Sequence, residues 1–433
     1  MEQTQTAAPA AGDGAPHPQP KRRWWRIRYS LRTLVLGVLL IGSGMGLWFR
    51  WEPWVLERVL QGHSERVCSA VFSPDGRWLV TAGFGGLAKI WDVNAGAVHA
   101  VLTGHDGRIH CAAFAPDSRR VVTASEDNTA RVWDVEGSAG PLVLKGDENS
   151  FYRAGFSPDG RLIATASLNC TAQIWDAECG AKRCSVEHDD SIYAVAFSPD
   201  GRKFATASRD HTARVWEALT GKELAVFRGH GDQVEDAGFS PDGQWLLTAS
   251  CDGTARLWDA SRATSLHVLQ GSGTEVGSAS FSPDGKLVAC ASYAPSVQIW
   301  NAETGALLTT VTNRVSTYLV SFAPDSRRIV TVCADDTLWV WDAKTGRLLS
   351  RPGTIEGGSW TARFSPDGRR IATAGGKGSV HVFSRRRPEY WWGVAWLPEF
   401  WLALASAGAL VWSAWRDRST LGKSSALLHD QAA

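Results

Sequence analysis

The sequence predicts an all-β fold of eight repeated four-stranded units packed radially, with a hydrophobic transmembrane helix on either side. Three observations support this prediction. A five-residue turn motif recurs every 41 or 42 residues, a Trp follows it at a fixed distance in all copies but the last, and an uncharged apolar stretch lies near each end of the chain.

The chain begins with a segment that has little material for a core. Residues 1–30 are rich in Ala, Pro, Gln and Gly and end in a basic run, so they are predicted to be a disordered basic tail. Residues 31–51 are predicted to form a transmembrane helix, because 33–49 carry no charge and span roughly 25 Å as a helix. A cleaved signal peptide is the alternative, which the long N-terminal region and the lack of an A-x-A site oppose. The basic residues before the helix favour an N-terminus inside the cell.

The middle of the chain, residues 54–384, is a repeat array. In the motif SPDG, Pro fixes φ and Asp-Gly supplies a tight turn. The runs RRVVTAS and TARVWDV alternate as β-strands do. Each unit provides about four strands that cannot bury both faces alone, whereas radial stacking buries them. FSPDG or FAPDS begins at Phe72, Phe114, Phe156, Phe197, Phe239, Phe281, Phe322 and Phe364.

A Trp stands 19 residues after each repeat Phe in seven copies, usually followed by Asp, and Phe383 takes its place in the eighth. These motifs resemble those of the WD40 family, and the resemblance covers about three quarters of the chain. It implies a β-propeller. Eight copies predict eight blades, and seven blades with one displaced unit are the alternative. Residues 54–62 match the strand before each later repeat, and the eighth unit ends at its third strand. The early strand is therefore expected to complete the eighth blade.

The resemblance also implies a buried polar network of His, Thr, Asp and Trp in each complete blade. Because the set recurs, it indicates packing rather than a Ser/Thr-His-Asp catalytic site, which would occur once. The other five copies lack a member (Gly85, Asp147, Ala294, Asn313, Lys377) and are expected to depend more on apolar packing. The complete sets are His105, Thr123, Asp127, Trp133; His188, Thr206, Asp210, Trp216; and His230, Thr248, Asp252, Trp258.

A second set of positions is implied by the resemblance to contact a partner. They are four and six residues before the repeat Phe and immediately before the network Asp, at the propeller face where first strands begin. All four propeller tyrosines fall there, and Tyr, Trp and Arg dominate interface hot spots. The alternative is that these aromatic residues only pack around the channel mouth. The predicted partner-binding residues are Tyr152, Tyr193, Tyr318, Trp360, His110, Glu235, Arg66, Arg108, Arg209, Phe84 and Tyr293.

The C-terminal segment, residues 390–415, is predicted to be a second transmembrane helix or an in-plane interfacial helix, because 400–415 carry no charge. Basic residues on both sides leave its orientation open, and 416–433 are predicted to be a tail. The links at 50–54 and 384–388 reach at most about 18 Å. The propeller is therefore expected to rest on the bilayer by the face that carries the SPDG turns.

Composition excludes several functions. Residues 51–384 carry 32 basic and 38 acidic side chains, so the folded part is a poor nucleic-acid binder. The eight Cys show no metal-ligand spacing, and neither a metal nor a cofactor is expected. A disulfide between Cys179 and Cys184, formed if the domain is extracytoplasmic, is a minor alternative.

These observations predict a non-enzymatic, membrane-tethered scaffold that binds a protein or peptide. The bilayer is contacted through 33–49 and 400–415, in the inner membrane of a bacterium, with the propeller outside the cytoplasm. A glycan, cell-wall or small-ligand binding module is the alternative. A propeller-framed enzyme is a third reading, and it requires a unique cluster of Asp, His or Arg from one blade in the central channel. The sequence shows no such cluster.

Overall fold

The computed structural model describes residues 54–385 except 138–139, 147–149, 273–274 and 356, and at 359–360 the backbone alone. These residues form 32 strands and no helix, in eight four-stranded sheets. The eight-bladed prediction is confirmed.

Each blade contributes four antiparallel strands, numbered here in chain order. Blades one to four comprise β2 (Val67–Phe72), β3 (Trp78–Gly83), β4 (Ala88–Asp92), β5 (Ala97–Leu102); β6 (Ile109–Phe114), β7 (Arg120–Ser125), β8 (Thr129–Asp134), β9 (Leu142–Lys145); β10 (Phe151–Phe156), β11 (Leu162–Ser167), β12 (Thr171–Asp176), β13 (Lys182–Glu187); and β14 (Ile192–Phe197), β15 (Lys203–Ser208), β16 (Ala213–Glu217), β17 (Glu223–Phe227). Blades five to seven comprise β18 (Val234–Phe239), β19 (Trp245–Ser250), β20 (Thr254–Asp259), β21 (Ser265–Gln270); β22 (Val276–Phe281), β23 (Leu287–Ser292), β24 (Ser296–Asn301), β25 (Leu307–Thr312); and β26 (Thr317–Phe322), β27 (Arg328–Cys333), β28 (Thr337–Asp342), β29 (Leu348–Thr354).

The eighth blade joins the two ends of the array. It consists of β30 (Ser359–Phe364), β31 (Arg370–Gly375), β32 (Ser379–Arg385) and β1 (Trp54–Gln61). The early strand β1 pairs antiparallel with β32, with Leu56 opposite Phe383 and Trp54 opposite Arg385. The predicted ring closure is confirmed. An ion pair adds to it, because Arg370 Nε of β31 lies 3.0 Å from Glu57 Oε2 of β1.

The repeated turn is held by its own side chains. In blade three Ser157 Oγ donates to Asp159 Oδ1 at 2.6 Å, and Gly160 adopts φ +71°, a conformation that costs Gly little. The two FAPDS copies place Ser118 and Ser326 at φ +61° and +59° instead. Ser118 Oγ accepts a 3.1 Å hydrogen bond from the backbone N–H of Asp75 in the preceding blade's turn, and Ser326 accepts in the same way. The strained serines thus link adjacent blades.

The core lies between blades rather than within them. Each apolar cluster combines two consecutive blades; in one, Trp78 and Ile90 of blade one pack with Phe114 and Trp133 of blade two. The first strands of adjacent blades contact one another all around the ring, and β30 contacts β2. They form an inner ring around a central channel. The turn face is the side on which first strands end in the SPDG or APDS turns, and the first-strand face is the side on which they begin.

Candidate functional site

A row of aromatic rings crosses four blades on the first-strand face. The ring centroids of Phe84 and His110 are 6.4 Å apart, those of His110 and Tyr152 are 5.2 Å apart, and those of Tyr152 and Tyr193 are 6.2 Å apart. All four side chains are partly exposed. We call these four residues the aromatic arc.

The backbone of the first strands explains how the arc forms. The strand register shifts between Phe151 and Arg153, so Tyr152 stands at a β-bulge outside the regular pairing with β11. The same shift occurs around His110 and Tyr193. A bulge redirects its side chain relative to the strand. Because neighbouring blades repeat it, their rings come into contact at the mouth of the channel.

The blade-one end of the arc is positively charged. The guanidinium carbons of Arg66 and Arg108 lie 5.6 and 4.8 Å from the centroid of the Phe84 ring, which is cation–π distance. His110 Nε2 lies 3.1 Å from Glu126 Oε1, and an Arg108 nitrogen lies 3.9 Å from the same oxygen. These contacts hold the partly exposed rings in defined positions.

A second aromatic pair continues around the same face. The rings of Tyr293 and Tyr318 are 5.7 Å apart, and Tyr293 is 44% exposed. Glu235 lies between this pair and the arc. Burial raises the pKa of Glu235, and burial together with the Glu235 charge raises the pKa of Tyr193 and of Tyr293. Arg209 is exposed, with Nε 3.9 Å from Asp190.

Most of the predicted partner-binding residues are therefore brought together at one face. The side chain of Trp360 lies outside the described residues. The contacts between rings agree with the packing alternative as well, so a role in binding stays a prediction.

The three complete polar networks have the same geometry. The His Nδ1 lies 2.7–2.8 Å from an Asp oxygen, and Nε2 lies 2.6–2.7 Å from the Thr hydroxyl. The Trp indole donates to the same hydroxyl at 2.9 Å. Burial alone raises the pKa of Asp252, but hydrogen bonds from Thr254, Gly231 and His230 lower it to about 2. The Thr residues are fully buried, which suits packing and leaves no accessible nucleophile.

The incomplete blades keep part of the network to different extents. In blade one His63 Nε2 lies 2.8 Å from Thr81 Oγ1, and Trp91 donates to that hydroxyl at 2.8 Å, although Gly85 replaces the Asp. Burial and the positive charge of Lys89 lower the pKa of His63 to about 4.

Two other incomplete blades also keep the indole-to-hydroxyl hydrogen bond, from Trp175 to Thr165 and from Trp341 to Thr331. The bond is missing in blade six, where Cys290 replaces Thr and Trp300 Nε1 has no partner. Apolar packing replaces the network there. In blade eight the hydroxyl of Thr373 has no partner, because Phe383 replaces the Trp.

The central channel holds three charged side chains from three blades. Arg153 lies on β10, Asp236 on β18 and Arg363 on β30, all strands of the inner ring. Each interacts electrostatically with the others although their blades are not neighbours. Such interactions cross the channel. We call these residues the channel cluster.

Protein encloses the channel cluster while the open channel admits solvent to Arg153 and Arg363. Burial raises the pKa of Asp236, and the two arginines oppose that shift. Burial lowers the pKa of Arg363, and the charge of Arg153 lowers it further. Within the described part of the chain Arg153 has no ion pair within 4.0 Å, and Arg363 has one 3.5 Å contact with Ser321 Oγ.

The channel cluster was not predicted from the sequence, where only a cluster carried by a single blade was sought. Arg153 and Asp236 stand three residues before the repeat Phe, where other copies have small residues such as Ser69 and Ala194. An alignment of the repeats shows these two charged residues at a position where most other copies have a small residue. The cluster draws on three blades rather than one, and guanidiniums do not transfer protons near neutral pH. It does not match the arrangement that the enzyme reading requires.

Comparison with known families agrees with this architecture. The family described as WD domain, G-beta repeat matches residues 54–92, 96–134 and 142–176. The family described as IFT122 first beta-propeller matches residues 174–391, about half of the chain. The chain belongs to this family of WD40-repeat β-propellers. No curated protein sequence matches it significantly.

Among solved structures, this WD40 propeller is similar to the crystal structure of the computationally designed Ika8 protein. The TM-score is 0.68 at 23% identity, covering 77% of this chain and 99% of that chain. At that identity the likeness shows the fold alone. WD40 propellers are commonly protein-interaction scaffolds and are generally non-enzymatic.

The predicted membrane segments and tails, 1–30, 31–51, 390–415 and 416–433, lie outside the described residues of the propeller. Within 54–385 no helix is long and apolar enough to cross a membrane. The described ranges contain no group of three His, Cys, Asp or Glu side chains arranged to hold a metal ion. All eight cysteines are free thiols, including Cys179 and Cys184, so the alternative bridge is not formed.

Proposed function

We propose that this WD40 propeller is a membrane-tethered scaffold that binds a protein or peptide partner through its first-strand face. The aromatic arc is the observation that carries the proposal. Its rings are partly exposed and already held against one another. Pre-ordered aromatic side chains lose little entropy on binding and bury a large area, which is the character of interface hot spots.

Charge gives the proposed interface a direction. Arg66 and Arg108 lie at the blade-one end of the arc, and Glu235 lies beyond its blade-four end. A partner with acidic groups at one end and basic groups at the other fits in one orientation. Such complementarity favours specificity and the association rate more than affinity.

The geometry of the chain ends supports the tether. Trp54 and Arg385, the first and last described residues, are paired at the turn face. We propose that 33–49 and 400–415 contact the bilayer and that the turn face rests on it. The first-strand face then points toward solvent, outside the cytoplasm of a bacterium, because basic residues precede the first apolar stretch.

The double variant Tyr152→Ala, Tyr193→Ala tests the partner face. Cross-linking in native membranes identifies a captured protein, whose affinity for the purified full chain is then measured. Two hot-spot truncations at about 2 kcal/mol each are expected to weaken binding by roughly 700-fold. The thermal midpoint should change little, since these rings are partly exposed.

A matched control uses the turn face. Arg161→Glu and Lys286→Glu change two exposed side chains there and should leave binding unchanged. If the partner is still captured by the arc variant but is no longer captured by the turn-face control, the partner binds the turn face and the proposal is wrong. If no protein is captured, and the chain binds glycans on an array while the arc variant does not, the glycan alternative is favoured.

A further inference from the structure

The channel cluster lies next to the aromatic arc. Arg153 directly follows Tyr152 on β10. Asp236 likewise follows Glu235. A chain segment lying on the arc is therefore within reach of the channel mouth and of the charges below it.

We propose that the central channel is an anion site that receives the carboxylate of an Asp or Glu side chain, from a peptide lying on the aromatic arc, at Arg153 and Arg363. This inference rests on the proposed function, since the first-strand face supplies the peptide. It adds the chemistry of the partner: an acidic residue that enters the channel.

The first support is the shortage of protein acceptors. A guanidinium has five N–H donors. Arg153 has no ion pair within 4.0 Å in the described ranges, and Arg363 reaches one hydroxyl at 3.5 Å. By contrast, Arg370 outside the channel has two hydrogen bonds to Glu57. The fork of a guanidinium matches a carboxylate, which binds it by two parallel hydrogen bonds.

The second support is the charge balance. The cluster contains two guanidiniums and one carboxylate, so it carries a net positive charge enclosed by protein. One bound carboxylate neutralises it. Solvent reaches both guanidiniums, and the walls of the channel focus their field on an incoming anion.

The third support is space. The inner-ring position of blade four that corresponds to Arg363 holds the partly exposed Ala196. Gly155 and Gly238 lie on the first strands of blades three and five, and a Cβ at either position would meet no atom within 4 Å. Small side chains leave the channel open on this side. A carboxylate side chain requires such room beside the two guanidiniums.

The test selects ligands without knowing the natural partner. A display library of random dodecapeptides is selected on the purified full chain. The selected peptides are labelled with fluorescein, and their affinity for the chain is measured by fluorescence anisotropy. They are expected to share an acidic residue at one position. Arg153→Gln should weaken their binding about 10- to 100-fold, as expected for a charge-assisted hydrogen bond. Arg161→Gln, in the same blade on the turn face, should have no effect.

Asp236→Asn provides a change of opposite sign. It removes a negative charge from the cluster, so it should strengthen binding of the acidic peptides severalfold, which a merely structural role does not explain. Thermal unfolding of each variant verifies that it folds. Replacing the acidic residue by phosphoserine should weaken binding, and stronger binding overturns the assignment to a carboxylate.

The outcomes separate this inference from the proposed function. If the selected peptides need Tyr152 and Tyr193 but share no acidic position, or if Arg153→Gln does not weaken their binding, the anion site is wrong and the proposed partner face is unaffected. If the arc variant does not weaken their binding, or if no peptide is selected, both proposals are contradicted.

Discussion

Replacing Gly85 by Asp should restore the polar network of blade one. In complete blades the network Asp accepts from His Nδ1 at 2.7–2.8 Å. Blade one has His63, Thr81 and Trp91 already bonded and lacks only that acceptor. The site accommodates a side chain, because Gly85 is exposed and a Cβ there stands 3.6 Å from the nearest atom. Its φ is not in the left-handed region.

Two terms set the magnitude. A hydrogen bond to a charged group contributes about 1.5–3 kcal/mol, and replacing Gly at a compatible site contributes about 0.4–1 kcal/mol. Ordering and partial burial of the new carboxylate reduce this sum, so a gain of about 1–2 kcal/mol in the free energy of unfolding is expected. For a domain of this size that corresponds to a rise of about 2 °C in Tm.

The pH dependence gives a second readout. The pKa of His63 is lowered to about 4, below its ordinary 6.5, so the unfolded state binds a proton that the folded state does not. Stability therefore falls as the pH drops from about 6.5 to about 4, by on the order of 1–3 kcal/mol from this residue. An Asp at position 85 should raise the His63 pKa and reduce that loss.

Urea unfolding of the full chain at pH 7 and pH 5 measures both effects, and NMR of labelled histidine follows the His63 pKa. Gly85→Ala is the control for backbone entropy. If Gly85→Asp is no more stable than Gly85→Ala, and the His63 pKa does not move, the network reasoning fails.

Asp210→Ala should lower the free energy of unfolding by about 1–3 kcal/mol, and Asp335→Ala should lower it by less. The reason is that Asp210 accepts from a buried His, whereas within the described residues Asp335 binds only its neighbouring Thr. Equal losses in urea titrations of the two variants contradict this. Cys290→Thr should raise stability by about 1 kcal/mol by giving Trp300 Nε1 an acceptor, and an unchanged Tm refutes it. A reporter active only in the cytoplasm, fused after residue 384, should be silent, and activity there reverses the proposed topology.

The repeat contained most of the fold. The spacing from the repeat Phe to the Trp defined the blades, and the likeness of residues 54–62 to a fourth strand predicted the pairing of β1 with β32. Both work because each blade is a local pattern that must bury its faces against the next.

The channel cluster was not predicted because it belongs to no single blade. Arg153 and Asp236 occupy the same first-strand position in two separate repeats, and neither is unusual within its own repeat. They come together only when the ring closes. The residual hydrogen bonds of blade one were missed for a related reason. A Thr hydroxyl such as Thr81 accepts from the Trp indole and bonds the His ring separately, and neither bond needs the Asp.

Closure by β1 also has a kinetic consequence. At ordinary rates of synthesis, β1 leaves the ribosome roughly 20–60 s before its partner β32. During that interval the edge of β1 lacks its native partner, although Trp54 and Leu60 carry the apolar surface that later packs into the last two blade junctions. Long-range pairing of this kind is slow and favours off-pathway association. Among the described strands, β1 has the longest sequence separation from the strand with which it pairs.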